Sequence, residues 1–377
     1  MKALEKIIKR ASDLAFELPD GTPVVKLGLI VTLYFREGYT AKSKQRVVEC
    51  FERFYNDFGS RLKWQVFERA NKLTPASFTK ARDKILGSGP NEQYEWSISS
   101  AASAKEAREY GLSAMNSFEV HKDKVRSSIK LVLPWSVLKD RDSLEAYQEW
   151  LLYLSNQVEA EHGYGGLSSI LPYDYDSYMP TEYQLAQQYS GLEVDSIPFI
   201  SSLELLDHIK GVNWFTILGA AFVERLGGEE TIQKRLLGRG DVTIQHYNHG
   251  IIIRAGELPD LGEKEIGMPA PYVAVNSVVK PVRIPNPDQL HSYSPYGDCF
   301  DEESTKQWYA RFDQPESKTQ PARIAGGDPC SHSGYWFTPA KEYSRQYFQR
   351  GEIMPIFEDS NWGATFWYWA DGDLAIR

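Results

Sequence analysis

Apolar residues recur along the first 280 positions at spacings that switch between helix and strand. Leu4, Ile7, Ile8, Ala11, Leu14 and Ala15 follow helical spacing and predict an opening amphipathic helix. Asp20-Gly21 and Pro23 mark a turn, after which 24–35 reads as a strand. Val47, Val48, Phe51, Phe54, Tyr55 and Phe58 form the stripe of a second helix, and 62–67 reads as a strand. Tyr94, Trp96 and Ile98 alternate with polar residues, as do Ile129, Leu131 and Leu133, so both stretches predict half-buried strands. Leu144, Tyr147, Leu151, Leu154 and Val158 predict a third helix.

The spacing beyond is shorter-ranged. Gly163-Tyr-Gly-Gly166 predicts a turn, followed by a short strand at 167–171. Short helices are expected at 183–189, 203–209 and 215–226, the last stopped by Gly227-Gly228. A hairpin is expected at 242–254 around Asn248 and His249, and a strand at 272–282. Strands and helices alternate without a strict βαβ rhythm. The class is therefore α+β, with mixed, largely antiparallel sheets packed with helices, plus a small aromatic-rich C-terminal module. Pro285 and Pro287 cluster with turn formers, which places a boundary between a domain of residues 1–284 and a Gly/Pro/Trp-rich module of 285–377.

Composition narrows the class of protein. Of 377 residues, 13% are aromatic, too many for a solvated coil. The three cysteines cannot all pair, which argues for a reducing compartment. No apolar run is long enough to span a bilayer, and the charged first ten residues lack a secretory apolar stretch. Cytoplasmic residence is the expectation.

The net charge of −9 hides an asymmetry. Residues 1–141 carry 25 basic and 17 acidic side chains, whereas 142–209 carry 12 acids and no Lys or Arg. Such a block repels itself unless opposite charge meets it. Two partners fit: the basic first third of the same chain, or a basic protein from outside. Nucleic acid does not fit, because its phosphates would be repelled.

Within that block, Leu171-Pro-Tyr-Asp-Tyr-Asp-Ser-Tyr-Met-Pro-Thr-Glu-Tyr183 holds four tyrosines and three acids. Tyrosine gives large contact area at low entropic cost, and carboxylates make strong charge-assisted bonds to Arg and Lys. Tyr173, Asp174, Tyr175, Asp176, Tyr178, Glu182 and Tyr183 are thus the candidate contacts for a basic partner. The opposing reading is a surface loop whose tyrosines pack on their own domain.

Catalytic signatures are missing. No Walker loop and no G-x-S-x-G elbow occurs. His246 and His249 flank a hairpin tip without further metal ligands, and Cys330 with His332 matches neither thiol catalysis nor a zinc ribbon. No cofactor, metal or catalytic residue is expected, and the chain reads as no enzyme. A hydrolase built on paired carboxylates is the competing class.

Four segments carry a family resemblance: Tyr164-Gly-Gly-Leu-Ser168, Tyr189-Ser-Gly-Leu-Glu-Val-Asp195, Ile209-Lys-Gly-Val-Asn-Trp-Phe215 and Phe222-Val-Glu-Arg-Leu-Gly-Gly228. They resemble the TsiV family of type VI secretion immunity proteins, over roughly 24–282. Ala325-Gly-Gly-Asp-Pro-Cys330 and Ser333-Gly-Tyr-Trp-Phe-Thr-Pro339, with Gly351 and Met354-Pro355, resemble a module that ends other immunity proteins of bacterial polymorphic toxins. That pattern often has Cys-Pro, where this chain has Cys330-Ser331-His332. The resemblance implies an immunity protein that binds a cognate effector toxin, in the best-understood branch a VRR-Nuc nuclease, and covers its nucleic-acid-binding surface. An adaptor that binds such an effector without inhibiting it is the remaining alternative.

Overall fold

A computed structural model describes residues 3–288, 290–291, 294–313, 323–331, 333–341, 343–357 and 364–369. The chain divides into two units, Met1–Asp313 and Gln314–Arg377.

The first unit is built on one eleven-stranded sheet. Its strands are β1 (Phe16–Glu17), β2 (Pro23–Phe35), β3 (Trp64–Phe67), β4 (Arg69–Lys72), β5 (Glu95–Ser99), β6 (Gly111–Met115), β7 (Ser127–Pro134), β8 (His162–Ile170), β9 (Phe215–Gly219), β10 (Val242–Tyr247) and β11 (Gly250–Ala255). They run in the order β10-β11-β9-β8-β2-β7-β6-β5-β3-β4, with β1 on β2 and every pair antiparallel. Ten helices are found among the described residues. They are α1 (Ala3–Arg10), α2 (Ala41–Phe58), α3 (Pro75–Gly87), α4 (Arg141–Gln157), α5 (Met179–Gln188), α6 (Pro198–Glu204), α7 (Ala220–Arg225), α8 (Glu229–Arg235), α9 (Ala270–Val279) and α10 (Glu302–Tyr309). The class is α+β, as the mixed periodicities implied.

Alternation along the strands sorts side chains onto two faces. Leu29, Val31 and Leu33 of β2, with Trp96 of β5 and Leu131 of β7, form one core with α2 and α4. Phe51 of α2 stacks on Trp96 with ring centroids 4.0 Å apart. Polar caps set the helix starts: Thr40 accepts from the Ser43 amide before α2, and Asp140 from the Ser143 amide before α4. The opposite face carries Ile30, Tyr34, Val132 and Tyr164, covered by residues 182–205 and by Phe300, Trp308 and Tyr309.

Several expectations change for physical reasons. Gly163, Gly165 and Gly166 lie inside β8, which runs from His162 to Ile170, and form no turn. A Cβ at Gly163 would sit 2.4 Å from the Thr32 carbonyl oxygen, and one at Gly166 2.0 Å from Asn213 Oδ1. The glycines therefore mark close packing of a central strand. The stretch 215–226 divides into strand β9 and helix α7. The 272–282 stretch is helical, as α9 followed by a 3-10 turn at Lys280–Val282. Its valines suggested a strand, but Pro271 sits in the first turn, and Tyr272, Val275, Asn276 and Val279 are buried at helical spacing. The helix expected at 203–209 lies earlier, as α6, and β6 and α3 had no periodic signal strong enough to be read.

The proline cluster at 285–287 is a bend inside the first unit. Beyond it, α10 buries Trp308 and Tyr309 on the second face of the sheet, so the compact unit runs to Asp313. The second unit is a four-stranded antiparallel sheet of β12 (Arg323–Ala325), β13 (Gly334–Phe337), β14 (Gln346–Phe348) and β15 (Phe366–Trp369), in the order β12-β15-β13-β14. Ile324, Cys330, Trp336, Phe348, Met354 and Trp367 form its core. His332, Trp362 and Gly363 lie outside the described residues.

Candidate functional site

The Tyr/Asp segment leaves the end of β8, crosses the second face of the sheet and enters α5. Tyr173 is half-buried, meets Trp64 edge-on at 5.6 Å and donates its hydroxyl to Glu95 Oε2 at 3.3 Å. Burial first, then Glu95, pushes its phenol up to about 12. Tyr175 and Tyr178 are half-buried and rest on the large core, while Tyr183 packs edge-on against Phe300 at 5.0 Å. The tyrosine rings thus brace the segment against its own domain, as the opposing reading held, while each keeps part of its surface in solvent. Asp174 and Asp176 are exposed. The backbone beneath them is fixed, because the Asp174 amide donates to the Ala104 carbonyl at 2.9 Å and Asp176 opens a 3-10 turn through Tyr178. Glu182 points inward instead. It is 5% exposed, takes hydrogen bonds from the Ser196 and Ser169 hydroxyls, and burial holds its pKa above the usual carboxylate value.

The acid-only block splits the same way. Five of its carboxylates are met from within the chain. Glu145 pairs with Arg141 at 2.8 Å on the surface of α4. Glu159 pairs with Arg46 at 2.6 Å and Lys42 at 3.4 Å, and Glu161 with Arg36 at 2.6 Å and with Arg126. Asp195 lies 3.0 Å from Lys130 and accepts from Thr32 Oγ1 and the Tyr164 hydroxyl, both at 2.6 Å. Glu193 lies 3.1 Å from Lys210 and 3.4 Å from Arg311. The internal alternative therefore holds for part of the block. The first third supplies Arg36, Lys42, Arg46, Arg126, Lys130 and Arg141. Asp142, Glu149, Asp174, Asp176, Glu204 and Asp207 stay exposed and form no ion pair among the described residues.

Two cavities flank the segment. One of about 310 Å³ lies between Tyr173, Tyr175 and the strands β5 to β7, and one of about 620 Å³ lies between Tyr173, Glu95 and the end of α3. Their walls include Glu95, Arg108 and Lys130, none of which was singled out from sequence. The signal was present: Glu95, Ser97 and Ser99, then Ser113, then Ser128 and Lys130, put polar groups at every second strand position, which marks a polar sheet face.

At the start of β8, His162 is fully buried, stacks on Tyr34 at 4.9 Å and lies 3.0 Å from the Leu205 carbonyl through Nε2. Burial holds its pKa down to about 4, only partly opposed by Glu161. A His depressed below its unfolded value of about 6.5 stabilises the fold fully above that pH, and the contribution is lost as pH falls toward 4. The expected loss is about 3 kcal/mol over that window. Urea unfolding at pH 7 and pH 4.5 tests this, since His162→Gln should lose less stability between the two than wild type. Equal losses in both proteins would remove His162 as the cause.

No group of three or more His, Cys, Asp or Glu placed to hold a metal occurs among the described residues. His246 is exposed and lies 2.9 Å from Glu229, and Cys330 is buried in the aromatic core of the second unit. No described helix is long and apolar enough to cross a membrane.

The segment is thus a partly exposed aromatic and acidic strip beside a polar sheet face. The comparisons define the class of protein, an immunity protein. Residues 46–312 match the family model TsiV, described as type VI immunity for VRR-NUC, and the chain belongs to that family. It is a family of immunity proteins and not of enzymes. The match extends past the 282 reached by the resemblance and takes in α10. The fold is also that of the Pseudomonas aeruginosa T6SS protein PA0821, with a TM-score of 0.71 at 20% identity, over 84% of this chain and 91% of that one. No curated protein matches the sequence.

Proposed function

We propose that this chain neutralises its cognate VRR-NUC effector by stoichiometric occlusion, with the Tyr173–Tyr183 segment at the centre of the contact. The carrying observation is that Asp174 and Asp176 stand exposed on a backbone fixed by tyrosine packing, with no ion-pair partner among the described residues. A nuclease must present a basic face to phosphate, and a fixed pair of carboxylates among aromatic rings complements such a face. Preorganisation reduces the ordering cost of binding, which favours the nanomolar affinity, about −12 kcal/mol, that stoichiometric inhibition requires. The action belongs in the cytoplasm, where DNA is exposed to the toxin and thiols such as Cys50 and Cys299 stay reduced.

The test is to co-purify the chain with its effector and assay DNA cleavage with and without it. A stable complex that no longer cuts DNA is the expected result. A stable complex that still cuts would make the chain an adaptor, and turnover by the chain alone would make it a hydrolase.

A further inference from the structure

The 310 Å³ cleft beside the Tyr/Asp segment contains a buried cation, Arg108, whose charged neighbours Glu95 and Asp195 form no ion pair with it among the described residues. Arg108 sits in the connection from β5 to β6. That connection is held in place by the Ala107 amide donating to the Pro23 carbonyl at 2.8 Å and the Tyr110 amide to Ser100 Oγ at 3.1 Å. The Arg108 stem lies across Gly111, where a Cβ would meet Arg108 Cδ at 2.6 Å, so the glycine makes room for the side chain to fold over the sheet. Its guanidinium donates from Nη1 to Ser97 Oγ at 3.2 Å, while Nε is buried with no partner. No carboxylate oxygen lies within 4.0 Å of it among the described residues. Burial pushes its pKa below the ordinary guanidinium value.

The neighbouring groups set the ligand's charge. Lys130 lines the same cleft but is already neutralised by Asp195 at 3.0 Å. Glu95 stands on the wall shared with the larger cavity and takes the Tyr173 hydroxyl. Ser113 and Ser128 add hydroxyls to the wall, and Tyr173 and Tyr175 border it. With Glu95 acting on Arg108 and Asp195 paired to Lys130, the lining charges balance, so the cleft disfavours a phosphate dianion and takes a single negative charge only by direct bonding to the Arg108 guanidinium. Guanidinium binds a carboxylate through paired N–H donors, and the partnerless Nε supplies one of them.

We propose that this cleft is a binding site for one carboxylate group, held by Arg108 and sized for a short acid or an acidic side chain. The carboxylate has two possible sources, a free small acid or an Asp or Glu side chain of the effector, and only the second rests on the occlusion reading. The full chain is titrated calorimetrically with acetate and with succinate, and its effector affinity is measured separately. Wild type, Arg108→Gln and Ser113→Leu are compared. Ser113→Leu fills the cleft from the β6 wall while keeping the Arg108 charge, and serves if Arg108→Gln does not fold.

Saturable acid binding to wild type, weakened at least tenfold in either variant, would identify a free-acid site even if no effector bound. No acid binding, with effector affinity at least tenfold weaker in both folded variants, would identify a side chain of the effector as the ligand. If wild type binds neither acid saturably and the variants hold the effector as tightly as wild type, or no effector binds, the proposal is overturned.

Discussion

Replacing Asp174 and Asp176 together by Lys is expected to weaken effector binding by at least two orders of magnitude while leaving the fold as stable as before. Both carboxylates are exposed, and neither is in an ion pair among the described residues, so the free protein loses no internal contact. Surface substitutions of this kind change stability by about 0.5 kcal/mol or less. At an interface with a basic face the effect is different in kind. Each reversal removes a favourable charge pair and creates a like-charge contact, at a cost of several kcal/mol for the two together. Every 1.4 kcal/mol is about tenfold in affinity.

The measurement is effector affinity for wild type and the double variant, with thermal unfolding beside it. Asp142→Lys/Glu149→Lys serves as the control, since those acids are equally exposed but lie on α4, at a distance in sequence from the segment. A drop confined to Asp174 and Asp176 would locate the contact. Equal drops in both variants would reduce the effect to general attraction between an acidic protein and a basic one. Undiminished binding in the Asp174→Lys/Asp176→Lys protein would exclude the segment as the contact, whatever the fate of the immunity function.

How far the chain could be read in advance depended on whether one local pattern governed a stretch. In α4, Tyr147, Leu151 and Leu154 repeat with one period and bury one face, and the helix lies where they place it. The β10–β11 hairpin turns at Asn248 and His249 because two alternating runs flank turn formers. Where the constraint is tertiary, local pattern misleads. Gly163, Gly165 and Gly166 look like a turn in one dimension, yet they are glycine because β2 and residues 213–214 leave no space for side chains. The α9 valines favour strand locally, and their burial at helical spacing overrides that preference. The candidate site shows the same division. The Tyr/Asp strip was legible as composition, but composition could not turn Glu182 inward or bring Arg108 and Lys130 beneath Tyr175, because those positions depend on strand register.

The other large effect is expected at Asp195, where substitution by Asn should destabilise the first unit by about 3–5 kcal/mol. Asp195 is buried just before α6, and it joins Lys130, Thr32 and Tyr164 from three strands of the sheet. Asn keeps the shape but removes the charge. Lys130 would then be a buried ammonium without a counter-ion, and Lys210 would retain only Glu193, at 3.1 Å. Leaving a buried charge uncompensated is much costlier than the net worth of the intact pair.

Such a loss is a large part of the roughly 5–15 kcal/mol that holds a domain together. It should lower the melting temperature of the first unit by several degrees or more. Scanning calorimetry of wild type, Asp195→Asn and the exposed control Asp207→Asn separates the burial of the charge from its mere presence. If the acid-only stretch avoids Lys and Arg because its inward carboxylates are already matched by cations elsewhere in the chain, Asp195→Asn falls and Asp207→Asn does not. If Asp195→Asn melts with wild type, the inward pairs contribute nothing net to stability. The exclusion of positive charge from 142–209 would then have to be attributed to the effector alone.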